Sequence, residues 1–273
     1  MTAAGDIGSD GGPSGGGATG GGATVGGASG AADVVGPGAV IEEIAALGPF
    51  FAVRTHPVGE PPPLPWQPMG ERQLGERVTA VREWLAAAGG QPTGSVELRV
   101  AASVAHLGLA ARLVSPALAA AVLHRRPLAC DVGDLRWQPV LGGPVPLSLP
   151  ADALGAPRAQ QNDEPGLLLG RLVDGPLAEL ARRFEQFGVS PHILLGNSAS
   201  AVNGAATMIA ATRPRLAPRT AEFTASLLAR PPLSAQYGTA PDGGFRRRSC
   251  CLIYRAAPGG RGALCGDCAL RAH

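Results

Sequence analysis

The chain has 273 residues, 45% of them apolar, 16% charged and 4% aromatic, with a net charge of +2. That is enough for one large domain or two small ones around a core of Ala, Leu and Val, a composition that favours helices over sheets. The charge is spread without a basic stripe, which gives no support for a nucleic-acid partner or for binding to a membrane surface.

Residues 1–38 are dominated by Gly, Ala and Ser, have too little to bury to offset the entropy of ordering, and are expected to be a disordered tail. Their glycines spell parts of a dinucleotide-binding fingerprint, but no strand pattern precedes them and no helix pattern follows at the right place. The first ten residues, MTAAGDIGSD, hold no basic patch ahead of an apolar run, so a cytoplasmic location is expected.

From Ala39 to about Leu47 the pattern is helical, and the Pro-rich EPPPLPWQP that follows at residues 60–68 reads as a loop. Glu71 to Ala88 carries Val78, Val81, Trp84 and Leu85 at helical spacing and stops at Gly89-Gly90. Val96 to about Leu107 and Ser115 to Leu123 read as two central helices, with Pro116 in the first turn of the second. Both stretches, like Ile193–Ala211, are interrupted by polar residues or proline, so stable membrane insertion is not expected.

Between Pro127 and Leu149, Leu135, Trp137 and Val140 alternate with polar neighbours and GGP separates two apolar runs, which predicts two or three short strands. Ala151–Gly166 reads as a loop, and helices resume over Leu177–Phe187, Ile193–Ala211 and Arg219–Leu228. The Ile193 helix carries GNSASAVNGAATM, whose small residues admit another backbone closely. Asn197 and Ser200 there are either contacts to a site or the polar start of a packing surface.

Four of the five cysteines, Cys250, Cys251, Cys265 and Cys268, fall in the last 24 residues with the spacing C-C-x13-C-x2-C. In a reducing compartment such clustered thiols point to metal or redox work. A C-x2-C turn can aim two sulfurs at one metal, and a reversal at Ala256–Gly260 between Phe245–Tyr254 and Arg261–Leu264 would bring the two pairs together as a hairpin. Adjacent cysteines point to opposite sides and chelate one zinc ion less comfortably, yet spacing alone leaves zinc and iron-sulfur both open.

Arg248-Ser249-Cys250-Cys251, Tyr254-Arg255, Pro258-Gly259-Gly260 and Cys265-Gly266-Asp267-Cys268 resemble the C-terminal signature of the FhuF-type ferric siderophore reductases. Leu195–Ala201, Leu135-Arg136-Trp137 and Gly142-Gly143-Pro144 are similar to upstream segments of that family, so the resemblance runs from about Glu71 to the end. The 13-residue gap is longer than usual there, and Leu195 stands where an aromatic is common.

The resemblance implies a [2Fe-2S] cluster on Cys250, Cys251, Cys265 and Cys268, and an electron-transfer enzyme that reduces Fe(III) in a ferric siderophore to release Fe(II). It implies two partners, the ferric siderophore and a protein or reductase that donates electrons, and no catalytic residue apart from the cluster. Arg246, Arg247 and Arg248 beside the first ligands are candidates for docking substrate or donor, against an ordinary solvated run. Lone Cys130 reads as a small buried hydrophobe.

The expected fold is α+β, predominantly helical with a small antiparallel sheet and a C-terminal cysteine hairpin. Residues 39–240 would form the mainly helical domain, with residues 241–273 as the cluster segment packed on it. The competing class is a zinc-stapled binding protein without redox activity.

Overall fold

Glycine and proline punctuate this chain, and the elements start and stop where they fall. The computed structural model describes residues 35–60, 63–156, 165–241 and 243–271. The expected disordered tail lies outside them except for its last four residues.

Helix α1, Pro37–Ala45, begins with proline in its first turn and buries Val40 and Ile44. Two short strands follow, β1 at Arg54–His56 and β2 at Gln67–Pro68. Helix α2 covers Glu71–Ala88 and ends on Gly89, as the spacing predicted, and it buries Val78, Val81 and Leu85. Trp84, expected on the same face, is exposed.

The two central helices expected on either side of residue 110 are one: α3 runs from Leu98 to His124 with Pro116 inside it. Proline removes one intrahelical donor and usually breaks a helix. Here α3 is buried along nearly its whole length, and the apolar area removed from water on both sides of Pro116 outweighs that loss. The helix ends on Arg125, whose left-handed φ of 52° closes the cap.

Strands β3, Arg136–Trp137, and β4, Leu147–Pro150, are two of the short strands expected after α3 and pair antiparallel. β1 joins β4 in parallel and β2 joins β3, giving a sheet in the order β1-β4-β3-β2. The sheet is therefore mixed rather than antiparallel, and part of the Pro-rich loop supplies an edge strand, the position where a missing proline N–H is tolerated. A second, antiparallel ribbon pairs β5, Tyr237–Thr239, with β6, Phe245–Arg247.

Residues 157–164 of the expected Ala151–Gly166 loop lie outside the described residues. Helix α4, Pro165–Leu172, then starts where no helix was expected, continues through a wide turn at Val173–Leu177 and leads into α5, Ala178–Glu185. Helices α6, Pro191–Thr212, and α7, Ala217–Ala229, match the pattern read from the chain. Ser190 caps α6 by accepting from the Ile193 N–H.

The protein is thus α+β and mostly helical. α3 and α6 are long and apolar enough to cross a membrane by length and composition, but the most apolar 18-residue stretch of α3 is 78% buried within the protein and that of α6 50%.

Candidate metal centre

The small-residue face of α6 is where the C-terminal segment docks. A methyl group on Gly196 would collide with the Ser249 hydroxyl and crowd Arg247 Nη2, so only glycine lets the tail lie this close. Ser249 Oγ donates to the His192 carbonyl at 3.1 Å, and Ser200 Oγ donates to the carboxylate of Asp267, between the last two cysteines. The seam between tail and helix is therefore packed. An apolar cavity of about 350 Å³ opens instead between α3, α6 and the Gly48–Phe51 loop, with Ser200 on its wall.

Asn197 is fully buried at the centre of this contact. Its amide nitrogen donates to the carbonyl and hydroxyl of Ser103 on α3, at 3.0 and 3.1 Å, while its oxygen accepts from Arg247 Nη2 at 2.5 Å. Ser103 Oγ donates in turn to the Cys251 carbonyl at 2.8 Å. Of the two readings of the Ile193 helix, the packing surface is the one seen: Asn197 and Ser200 hold the cysteine-bearing segment through Arg247 and Asp267.

The tail is not the hairpin expected from Phe245–Tyr254 and Arg261–Leu264. β6 pairs with β5 instead, and after it the chain makes tight turns at Ile253–Ala256 and Pro258–Gly260. Leu252, with a left-handed φ of 69°, turns the chain after the cysteine pair. Pro258-Gly259-Gly260 does lie in the reversal, with φ near 67° at both glycines. The Arg247 N–H donates to the Asp267 carbonyl at 3.1 Å and so helps tie the first cysteine stretch to the second.

These turns gather the thiols. Cys251 and Cys265 lie 3.5 Å apart, sulfur to sulfur, and Cys268 stands close enough to Cys250 for its charge to be felt there. Two thiolates on one tetrahedral metal at about 2.3 Å stand about 3.8 Å apart, so the closer pair already has the span of one metal's edge. Cys251 and Cys268 are buried, and Cys250 and Cys265 are half-buried. Among the described residues no three His, Cys, Asp or Glu side chains converge on a single-ion site.

Backbone amides already point at sulfur: the Leu252 N–H donates to Cys250 at 3.3 Å and the Leu270 N–H to Cys268 at 3.4 Å. The hydrogen bond from Cys265 holds the Cys251 thiol below its ordinary range, and the charge of Arg247 adds to this. That same hydrogen bond, then burial, pushes Cys265 up. Burial, more than its neighbours, also raises Cys250.

The three docking candidates part company. Arg248 is exposed. Arg246 donates to the carbonyls of Ala269 and Arg271. Arg247 is 2% exposed and faces Asn197. Ser103, on another helix 148 residues from Cys251, gave no signal in the chain.

A family model for the FhuF 2Fe-2S C-terminal domain matches residues 247–270, a stretch that contains all four clustered cysteines. It supports an FhuF-type assignment for that segment and implies a [2Fe-2S] cluster. No match is found among curated proteins.

Proposed function

We propose that this protein reduces Fe(III) in ferric siderophores, using a [2Fe-2S] cluster held by Cys250, Cys251, Cys265 and Cys268. The observation that carries the reading is the gathering of four thiols, with Cys251 and Cys265 only 3.5 Å apart, inside the stretch similar to a 2Fe-2S domain. When bound, such a centre supplies one-electron transfer at a potential set by charge, hydrogen bonds to sulfur and exposure. The zinc-stapled alternative is not favoured, since it draws nothing from that likeness.

The chain's own residues do the rest. The Leu252 and Leu270 amides orient the outer sulfurs, and Arg271 Nε donates to the Cys265 carbonyl at 3.1 Å, steadying the C-x2-C turn. Half-buried Cys250 and Cys265 leave one edge of the site reachable, and electron transfer needs nearness rather than bonding. Residues 245–271 contain six arginines and a single acid, Asp267, and Arg248, Arg261 and Arg271 are exposed. Such a rim attracts an acidic electron donor or a negatively charged ferric complex.

Siderophore oxygens are hard donors that hold Fe(III) far more tightly than Fe(II). One electron from the donor, delivered to the docked complex, converts Fe(III) to Fe(II) and loosens it. We place this reaction in the cytoplasm, where thiols stay reduced.

The test begins with protein purified without oxygen. Two irons and two sulfides per chain, with a visible absorption that bleaches on one-electron reduction, are expected. The reduced protein should then yield Fe(II), trapped by a colorimetric chelator, from a ferric hydroxamate or catecholate. A colourless, zinc-loaded protein after reconstitution with iron and sulfide would remove the reading. A loaded protein inert toward every ferric siderophore tried would remove the substrate and leave the cluster.

A further inference from the structure

We propose that the buried guanidinium of Arg247 is the internal counter-charge of the cysteine site: it favours the reduced cluster and ties docking of the tail to cluster assembly. This rests on the cluster assignment and is independent of the siderophore reading.

Arg247 is 2% exposed, and a buried cation is normally paired or fully hydrogen-bonded. This one is neither. Nη2 donates to Asn197, while Nε and Nη1 have no hydrogen-bond partner among the described residues. The fold can satisfy a buried arginine when it needs to, for Arg112 on α3 spreads its guanidinium over the carbonyls of Pro49, Phe50, Ala52 and Val145. The difference lies in the surroundings of Arg247.

The groups that face it cannot balance the charge. Asn197 is a neutral amide. His106 on α3, fully buried and packed edge-on against Phe184, lies close enough to feel the arginine and is itself neutral, with neither ring nitrogen bonded. Asp267 offers Arg247 its backbone carbonyl and gives its carboxylate to Ser200. The cysteine site lies at the other end of the same hydrogen-bond chain: Asn197, which accepts from Arg247, donates to Ser103, and Ser103 Oγ donates to the Cys251 carbonyl.

A thiolate-ligated [2Fe-2S] core is a net anion and gains one more negative charge on reduction. A fixed positive charge in low dielectric beside it stabilises both states and the reduced one more. With the site empty the same charge is stranded, which loosens the tail. Arg247 is a positioning residue in this scheme: it touches neither donor nor siderophore.

The experiment compares full-length wild type, Arg247→Met and Arg247→Lys, each with and without reconstituted cluster. Iron and sulfide are counted first, so that absence of a cluster in wild type, which sinks the functional reading, is told apart from failure of this inference. In loaded Arg247→Met the reduced-to-oxidised ratio at fixed potential should fall about tenfold, equivalent to a drop of about 59 mV for one electron, while Arg247→Lys stays near wild type. Without cluster, Arg247→Met should melt at or above the wild-type temperature, and the gain in melting temperature on loading should shrink.

An unchanged potential in a fully loaded Arg247→Met would overturn the proposal. So would an equal shift in Arg247→Lys, which would assign the effect to shape rather than charge. Collapse of Arg247→Met when empty, with Arg247→Lys folding normally, would make the residue a structural keystone and overturn it as well.

Discussion

Gly196 on α6 and Ser249 on the tail leave no room for a methyl group between them. Replacing Gly196 by alanine forces the serine away, and the cysteine pair that follows Ser249 moves with it. Overpacking of this kind costs about 1–3 kcal/mol. The expected result for Gly196→Ala is a folded helical protein, by circular dichroism, that retains well under half of the wild-type iron after anaerobic reconstitution. Full iron content would show that the tail needs no close approach to α6.

His106 gives the protein a dependence on acid. Burial, then the charge of Arg247, lowers its folded pKa from 6.5 to about 3. Between those values the unfolded chain binds the proton that the folded chain refuses. Its contribution is therefore intact above pH 6.5 and is lost as pH falls, by at most about 1.4 kcal/mol per pH unit. Urea titrations between about pH 7 and pH 4 should show that slope in wild type and a shallower one in His106→Leu, and parallel slopes would contradict the assignment.

Arg112 pins the Gly48–Phe51 loop to α3 through its fan of carbonyl bonds, and burial lowers its pKa to about 10 without discharging it near neutrality. A lysine keeps the charge but cannot span four carbonyls. Arg112→Lys is expected to lose on the order of 3 kcal/mol, read from denaturant midpoints. The cavity walled by that loop should open, visible as faster amide exchange at Phe50 and Phe51. A variant as stable as wild type would mean that water satisfies those carbonyls.

The five thiols should behave as two classes. Serine at any one of positions 250, 251, 265 or 268 removes a ligand, and each variant should lose the visible absorption and most of the iron, whereas Cys130→Ser should keep both. Burial, then the nearby Asp134 and Asp131, pushes the Cys130 thiol up to about 12, so iodoacetamide at about pH 7.5 should leave it unlabelled until the protein is denatured. Rapid native labelling of Cys130, followed by mass spectrometry, would show a solvent-accessible thiolate instead.

The chain shows its metal centre more openly than its fold. Four thiols in the last 24 residues, an adjacent pair and a C-x2-C turn are local facts, and local chemistry alone narrows the metal to zinc or iron. Helices with strong periodicity, α2, α6 and α7, were legible for the same reason. α4 was hidden because its run GLLLG is apolar without period, and β2 because two residues beside prolines carry no strand pattern.

By itself, the sequence determined which residues could take a metal, that glycine and small side chains clear one face of the Ile193 helix, and that the protein is mostly helical. Only the tertiary structure decided that α3 continues through Pro116, because burial along the whole helix outweighs one lost hydrogen bond. It also decided that Arg247 turns inward while Arg248 faces solvent, and that Ser103 and Asn197 brace Cys251 from two helices. Those contacts span 50 to 148 residues of chain. No local pattern encodes them: a polar side chain in a helix looks alike in sequence whether it meets water or another buried polar group.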